Sequence, residues 1–375
     1  MIVYNENRNL VRLGDYIEVC DVINVDSQDL PFCGINKDKA FMPTVADTNE
    51  LDSSKYKIVK RNVFVFSGMQ TGRDICIRIA LYDKEDTILV SPAYTTFVVK
   101  DHLMVLPEYL FIQFYRFQMD RYGWFLSDGS VRSNLDWSVF CDIQIPLSDI
   151  NTQHELVDTY NGLKALAEQN EALIKPLSEA CLAYIVDCKK KYPEAELGDY
   201  IEVYDQKNID SQNLQFCGIN KNKTFMPTVA DTNELDNTKY KIVVKDVFVF
   251  SGMQTGRDVC IRLALYANCE PILVSPAYTT FVLKDKSVIL PHYLFIQFNR
   301  FEMDRYGWFL SDGSIRSNLD WSEFCRIKIP IAPIEVQQAI VDLFNCAEEA
   351  KKIAIEAREK MKMLCPALVQ KVING

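Results

Sequence analysis

The sequence predicts an α/β protein made of two repeated modules, each followed by a long helix. The helices are expected to pair as an antiparallel coiled coil, with the two halves related by a pseudo-twofold axis. Three observations lead there. Setting Leu13 against Leu197 aligns the chain with itself without a gap, and about three quarters of positions 13–147 recur at 197–331. Within each module, alternating apolar runs sit beside segments of helical spacing. Each module then gives way to about 40 residues that read as one helix.

The elements follow in order. "DICIRIALY" reads as a strand, with Ile75, Ile77, Ile79 and Leu81 on one face, and "VFVFSG" and "TILVSPAYTTFVV" are β-rich as well. "PEYLFIQFYRFQMDRY" has helical spacing and a Pro near its start. "CDIQIP" reads as a closing strand that Pro146 ends. In the segment that follows, Leu156, Tyr160, Leu163, Ala167, Asn170, Ile174, Leu177, Cys181 and Tyr184 step alternately by 4 and 3, which is a coiled-coil seam. Asn170 on that seam would fix register, and Pro176 is expected to bend or open the helix. The second copy, with Ile340 and Phe344 on its inner face, is helical with a less regular seam. The domain boundaries read from this pattern are 1–148, 149–190, 191–332 and 333–375.

With 375 residues, 48% hydrophobic and 25% charged, the chain has room for two ordinary cores. No apolar run approaches the roughly 18 residues of a membrane span, and the opening has no secretory apolar region. A cytoplasmic protein is expected. None of the 12 cysteines forms a CxxC pair, so buried reduced thiols are expected rather than zinc or disulfides.

The three histidines, His102, His154 and His292, have no histidine at the equivalent position of the other copy. A duplicated catalytic or metal site built on histidine is therefore unexpected. No phosphate-binding glycine loop is present, and no NPPF- or DPPY-type tetrapeptide of adenine methyltransferases. The recurring carboxylates Asp47/Glu50 and Asp231/Glu234 read as solvated loop residues.

What does recur is polar loop chemistry suited to binding. "SGMQTGRD" offers Gln70, Thr71 and Arg73, repeated as Gln254, Thr255 and Arg257. Gln matches adenine edges, and Arg matches guanine edges or phosphates. The same stretch also fits a hairpin turn with an Arg–Asp pair, and its glycines would let backbone approach a ligand. "RYGWFLSDGSVRSN" offers Arg121, Ser130 and Arg132, repeated as Arg305, Ser314 and Arg316. Trp124 and Trp137 are expected in the core, framing this loop. "SPAYTTF" puts Tyr94, and in the copy Tyr278, at a strand edge, where core packing and phosphate contact are both open.

Two α/β modules, each followed by a long helix, resemble the DNA specificity subunit of type I restriction-modification enzymes. The residues that carry the resemblance are "VFVFSGMQTGRDICIRIAL", "ILVSPAYTTFVV" and "SDGSVRSNLDWSVFCDIQIPLSDINTQHELV", with the copy "SDGSIRSNLDWSEFCRIKIPIAPIEVQQAIV". An acidic–Gln pair near the helix start is part of that pattern. Glu335 and Gln337 supply it in the second copy, whereas the first copy has Asn151 and Gln153.

The resemblance implies that each module is a target recognition domain reading half of a split site on double-stranded DNA. The helices would act as a spacer and dock two methyltransferase subunits. It implies no catalysis in this chain, with S-adenosylmethionine, ATP and Mg on methyltransferase and restriction/translocase partners. Near-identical modules imply a near-palindromic site. The net charge of −10 runs against strong DNA affinity for the isolated chain, so partners would supply much of the phosphate contact. Two rival readings are a fused enzyme and a non-DNA scaffold of two peptide-binding modules held by a coiled coil.

Overall fold

The computed structural model describes residues 10–44, 51–69, 71–130, 133–228, 235–253, 255–314 and 317–374. The side chains of 72, 73, 256, 257 and 365–374 lie outside that description. The chain forms two compact units, 1–169 with 353–375, and 170–352. Each unit thus joins one module to part of each long helix.

In the first unit the module is layered. A four-stranded antiparallel sheet runs in the order Ile17–Val19, Thr95–Val99, Phe64–Ser67, Arg78–Leu81. A second sheet has the order Phe41–Pro43, Phe32–Ile35, Ile88–Val90, Lys57–Val59, with one parallel pair between Phe32–Ile35 and Ile88–Val90. The first sheet is the middle layer. Phe64, Phe66, Ile79 and Leu81 face the helices, while Val65 and Ala80 face the second sheet with Val59, Ile88 and Val90. Both faces are buried, which is why "VFVF" shows no apolar–polar alternation. Leu10–Arg12 pairs with Gln144–Pro146 and ties the start of the module to its end.

The second unit repeats this plan. One sheet has the order Ile201–Val203, Thr279–Leu283, Phe248–Ser251, Arg262–Leu265. The other runs Phe225–Pro227, Gln215–Ile219, Ile272–Val274, Lys241–Val243. Glu194–Glu196 pairs with Lys328–Pro330.

The long helices are Ile150–Lys191 and Ile334–Asn374, and they pack against each other. In the second unit the Cys181 thiol lies 3.8 Å from the Ile340 carbonyl oxygen, with Ile185, Cys188 and Phe344 in the same core. In the first unit Leu156, Tyr160 and Leu163 share a core with Met361 and Leu364. Each helix start is pinned by a buried glutamine. Gln153 accepts from Leu106 N at 2.9 Å and donates to the carbonyls of Met104 and Ser148. Gln337 does the same with Leu290 N, Val288 O and Ala332 O.

Several sequence expectations need correction. The segment at 107–122 is two helices, Pro107–Gln113 and Phe117–Leu126, broken at Arg116, whose backbone is extended. Phe114 must stack on Phe140 while Met119 and Gly123 face the core, and one straight helix does not serve both. The strand of "DICIRIALY" begins only at Arg78. Ile75 instead caps the short helix Thr71–Asp74 in the left-handed region, at φ 46°, with Cys76 N donating to Thr71 O.

On the first long helix Leu156 and Tyr160 are buried, and Leu163, Asn170, Ile174 and Leu177 are half-buried. Beyond Cys181 the buried line passes through Ile185 and Cys188, leaving Tyr184 55% exposed. A straight helix drifts about 20° per heptad against a 3.5-residue seam, so a long stripe changes position. The helix is continuous through Pro176, which is exposed. The second seam is more regular than its sequence suggests: Ala347, Ala350, Ala354, Ala357 and Met361 are buried at alternating steps of 3 and 4. All eleven cysteines described are free. Among the described residues no helix is long and apolar enough to cross a membrane.

Candidate nucleic-acid interface

The two polar loops, 60 residues apart in sequence, meet in space. Leu135 N donates to Gly68 O at 2.9 Å, and Thr71 N donates to Ser133 O at 3.0 Å. A Cβ on Gly68 would lie 2.0 Å from the Leu135 carbonyl oxygen, so this backbone contact admits only glycine. The glycine therefore serves a loop–loop contact. In the second module Leu319 N donates to Gly252 O at 2.8 Å and Thr255 N to Ser317 O at 2.9 Å.

The "SDGSVRSN" loop is organised by a carboxylate. Asp128 accepts from Ser130 Oγ at 2.6 Å, Asn134 N at 2.9 Å and Ser130 N at 3.2 Å. These hydrogen bonds, the Ser130 hydroxyl foremost, hold the Asp128 carboxyl below the usual carboxylate range. Ser133 sits at φ 46°, and its N–H donates to the Ser130 hydroxyl oxygen at 3.1 Å. Asp312, Ser314, Ser317 and Asn318 repeat the arrangement, and the Asp312 carboxyl is lowered for the same reason. The described residues on either side of the loop's tip, Asp128–Ser130 and Ser133–Asn134, are thus held together by the loop's own hydrogen bonds.

The residues proposed from sequence fall in different places. Thr71 and Thr255 are fully buried, and their hydroxyls donate to Gly68 O at 2.9 Å and Gly252 O at 2.8 Å. Ser130 and Ser314 are exposed, and their hydroxyls bond within the loop. Gln70, Arg132, Gln254 and Arg316 lie outside the described residues, as do the side chains of Arg73 and Arg257. Asp47, Glu50, Asp231 and Glu234 lie outside them too. Asp74 pairs with Arg78, and Asp258 with Arg262. Tyr94 and Tyr278 pack on the second sheet of their modules, and their carbonyls accept from Lys57 Nζ at 2.7 Å and Lys241 Nζ at 2.9 Å. No hydrogen bond among the described residues ties either tyrosine to its loop pair.

Arg121 and Arg305 are exposed on the helices that lead into the loops, Phe117–Leu126 and Phe301–Leu310. Trp137 packs on Phe66, Phe97 and Phe140, as expected of a core residue. Trp124 does not. It is about half exposed on the outer face of its helix, because the inner face belongs to Met119 and Gly123. A Cβ on Gly123 would come within 2.4 Å of Ile77 Cγ1.

An anchor that the sequence did not suggest holds this helix. Lys39 Nζ, buried, lies 2.7 Å from Asp120 Oδ1 and 2.8 Å from Ile77 O. Asp120 Oδ1 also accepts from Ile77 N at 2.9 Å. Lys223, Asp304 and Ile261 repeat the anchor. A turn of the second sheet thereby fixes the helix that carries the loop. The only trace in the sequence is that both residues recur in the copy.

No protein-family model and no curated protein matches the chain. Among solved structures, the S subunit of a type I restriction-modification system from M. genitalium superposes with a TM-score of 0.61 at 14% identity, covering 99% of this chain and 98% of that one. The chain shares the fold of a type I specificity subunit. An HsdS subunit from Thermoanaerobacter tengcongensis has a TM-score of 0.42 at 14% identity, covering 100% and 98%. A structure described as the basis of complex assembly and conformational transition of the type I R-M system has 0.39 at 12%, covering 100% and 99%. The specificity-subunit fold accounts for modules and long helices alike. In this chain it displays the same loop pair once in each unit.

Proposed function

We propose that the chain is the DNA specificity subunit of a type I restriction-modification complex. Residues 1–148 and 191–332 are its target recognition domains, and 149–190 and 333–375 its spacer helices. Each domain reads one half of a split, near-palindromic site through the loop pair and the arginines around it. Two methyltransferase subunits, and restriction/translocase subunits with them, carry the chemistry together with S-adenosylmethionine, ATP and Mg. The observation that carries this reading is the loop pair, built twice from the same residues on a specificity-subunit fold. A preorganised polar loop loses little entropy on meeting DNA, and matched loops fit the twofold symmetry of the duplex.

Methylome sequencing of cells expressing the chain with its methyltransferase partner tests the reading. The expected result is chain-dependent methylation at one split motif whose halves are the same or differ at one position. Two unrelated halves would sink the near-palindrome. Absence of chain-dependent methylation, with no gel shift by the assembled complex, would favour a two-module scaffold that does not act on DNA.

A further inference from the structure

In the first unit a cleft of about 770 Å³ opens between the module and the long helices. That is the size of a small-molecule site. Its apolar lining recurs in the copy, where Phe41, Leu81, Tyr82 and Phe111 are Phe225, Leu265, Tyr266 and Phe295. Its polar lining does not. Lys84, Tyr115, Lys164, Arg358 and Lys362 are matched by Asn268, Asn299, Glu348, Ile174 and Ser178. Arg61 keeps its charge, as Lys245. Two halves that share about three quarters of their module positions thus differ in the cations and the ring they bring to this volume.

Six basic and four acidic side chains line the cleft, in a chain whose net charge is −10. Lys39 pairs with Asp120, and Lys164 Nζ lies 2.7 Å from Asp83 Oδ2. Arg61 pairs with Glu85, whose side chain is 81% exposed, so a ligand anion displaces it at little cost. Lys84 and Lys362 are exposed and make no ion pair among the described residues. Phe111 and Tyr115 are half-buried and meet edge to face at 5.0 Å, and Tyr160 lies 5.9 Å from Tyr115.

We propose that this cleft binds one nucleotide per chain, its base on the rings of Phe111 and Tyr115 and its phosphates among Arg61, Lys84 and Lys362. Three features of the lining select that ligand class together. Aromatic faces stack on any base. Ammonium and guanidinium groups give phosphate oxygens charge-assisted hydrogen bonds. The carboxylates of Glu108 and Glu168 accept from the hydroxyls of a sugar. Inorganic phosphate alone would be repelled by those carboxylates and leave the rings unused. A duplex backbone offers phosphates but no free base face, so it has the same defect. An apolar ligand would desolvate the cations without pairing them. Nothing in this assignment depends on DNA reading by the loop pairs.

The test is isothermal titration of the full chain with adenosine, guanosine, cytidine and uridine diphosphates, and with inorganic phosphate and the free nucleosides. At least one diphosphate should bind at one site per chain, about tenfold or more tighter than its nucleoside or phosphate alone. Lys84→Asn and Tyr115→Asn each install the residue that the second module carries, so the fold survives, as an unchanged melting temperature would show. Each should weaken binding by about tenfold or more, as loss of a stacked base or a phosphate contact does. Lys245→Ala, at the equivalent place in the second module, should leave binding unchanged. Wild-type chain that bound no diphosphate, or bound phosphate equally well, would overturn the proposal, as would two equal sites per chain or variants that bound like wild type. If Lys84→Asn lowered only the DNA affinity of the assembled complex, the cations would belong to the DNA backbone and the nucleotide site would fall. Loss of chain-dependent methylation motifs, by contrast, bears on the specificity reading alone.

Discussion

At Gly68 a single methyl group decides whether two loops can meet. Its added Cβ would overlap the Leu135 carbonyl oxygen, and backbone cannot yield as a flexible side chain would. Gly68→Ala is therefore expected to destabilise the first module by about 1–3 kcal/mol, the usual range for overpacking, and to weaken DNA binding by the assembled complex. Thermal melts and gel shifts check this, with Gly129→Ala as the control, since a Cβ there meets nothing within 4 Å. Asp128 gives a pH prediction. Its carboxyl is lowered by the hydrogen bonds it accepts, so the ionised form holds the loop and its contribution is fully present above the ordinary Asp value of about 3.9. The contribution is lost only as pH falls through the lowered folded value. The Asn134 amide resonance should hold its position through the ordinary carboxylate range and shift below it. A shift centred at the ordinary value would mean the carboxylate does not organise the loop. The Asp128, Ser130 and Ser133 cluster was partly legible, because Asp and Ser bonding backbone two or three residues on is a local habit. Gly68 was legible as a permissive residue, but the strand of chain it admits was not.

The helix Phe117–Leu126 is tied to the turn before Phe41 by one buried ion pair, Lys39–Asp120. Lys39 and Asp120 have side chains only 4% and 15% exposed. Asp120→Ala leaves an unpaired buried ammonium and is expected to destabilise by about 3–5 kcal/mol. The Lys39→Met, Asp120→Leu double variant should destabilise much less, because the desolvation penalty goes with both charges. Additive effects in a double-mutant cycle would show that the two are not coupled. Helical spacing correctly marked 107–122 as helical. It did not show the break at Arg116 or the outward turn of Trp124, because the helix is set by which distant segment, that of Ile77 just before the strand Arg78–Leu81, lies beneath Gly123. The long helices were more legible, since coiled-coil periodicity is itself a tertiary signal written locally. Even there the shift from Tyr184 to Ile185 needed the structure.

For the chain as a whole, the proposed function makes the paired long helices a ruler. One added turn in each lengthens the pair by about 5.4 Å. Duplex DNA rises about 3.4 Å per step, so the gap of the recognised site should widen by one or two base pairs while the bases in each half stay the same. Methylome sequencing of the lengthened variant reads both at once. A changed half-site with an unchanged gap would remove the helices from that role. The net charge of −10 also belongs to this scale. It predicts weak, strongly salt-dependent DNA binding by the chain alone, with affinity rising when partner subunits contribute phosphate contacts.

The sequence by itself determined that this protein is one module and one long helix, each present twice. Identity at a constant offset needs no geometry to be read, and it carries the strands, both loops and both helices with it. It also determined the two long helices and several of the strand-bearing runs, because backbone hydrogen bonding imposes a period of 3.6 on a helix's apolar residues and β-branched and aromatic residues gather in strands. Tertiary structure alone decided that Gly68 lies against Leu135, that Lys39 reaches Asp120 and that Trp124 faces outward. The first two of those outcomes depend on contacts between residues 67 and 81 apart in sequence. Such contacts leave no local period, and only the packing of whole layers selects them.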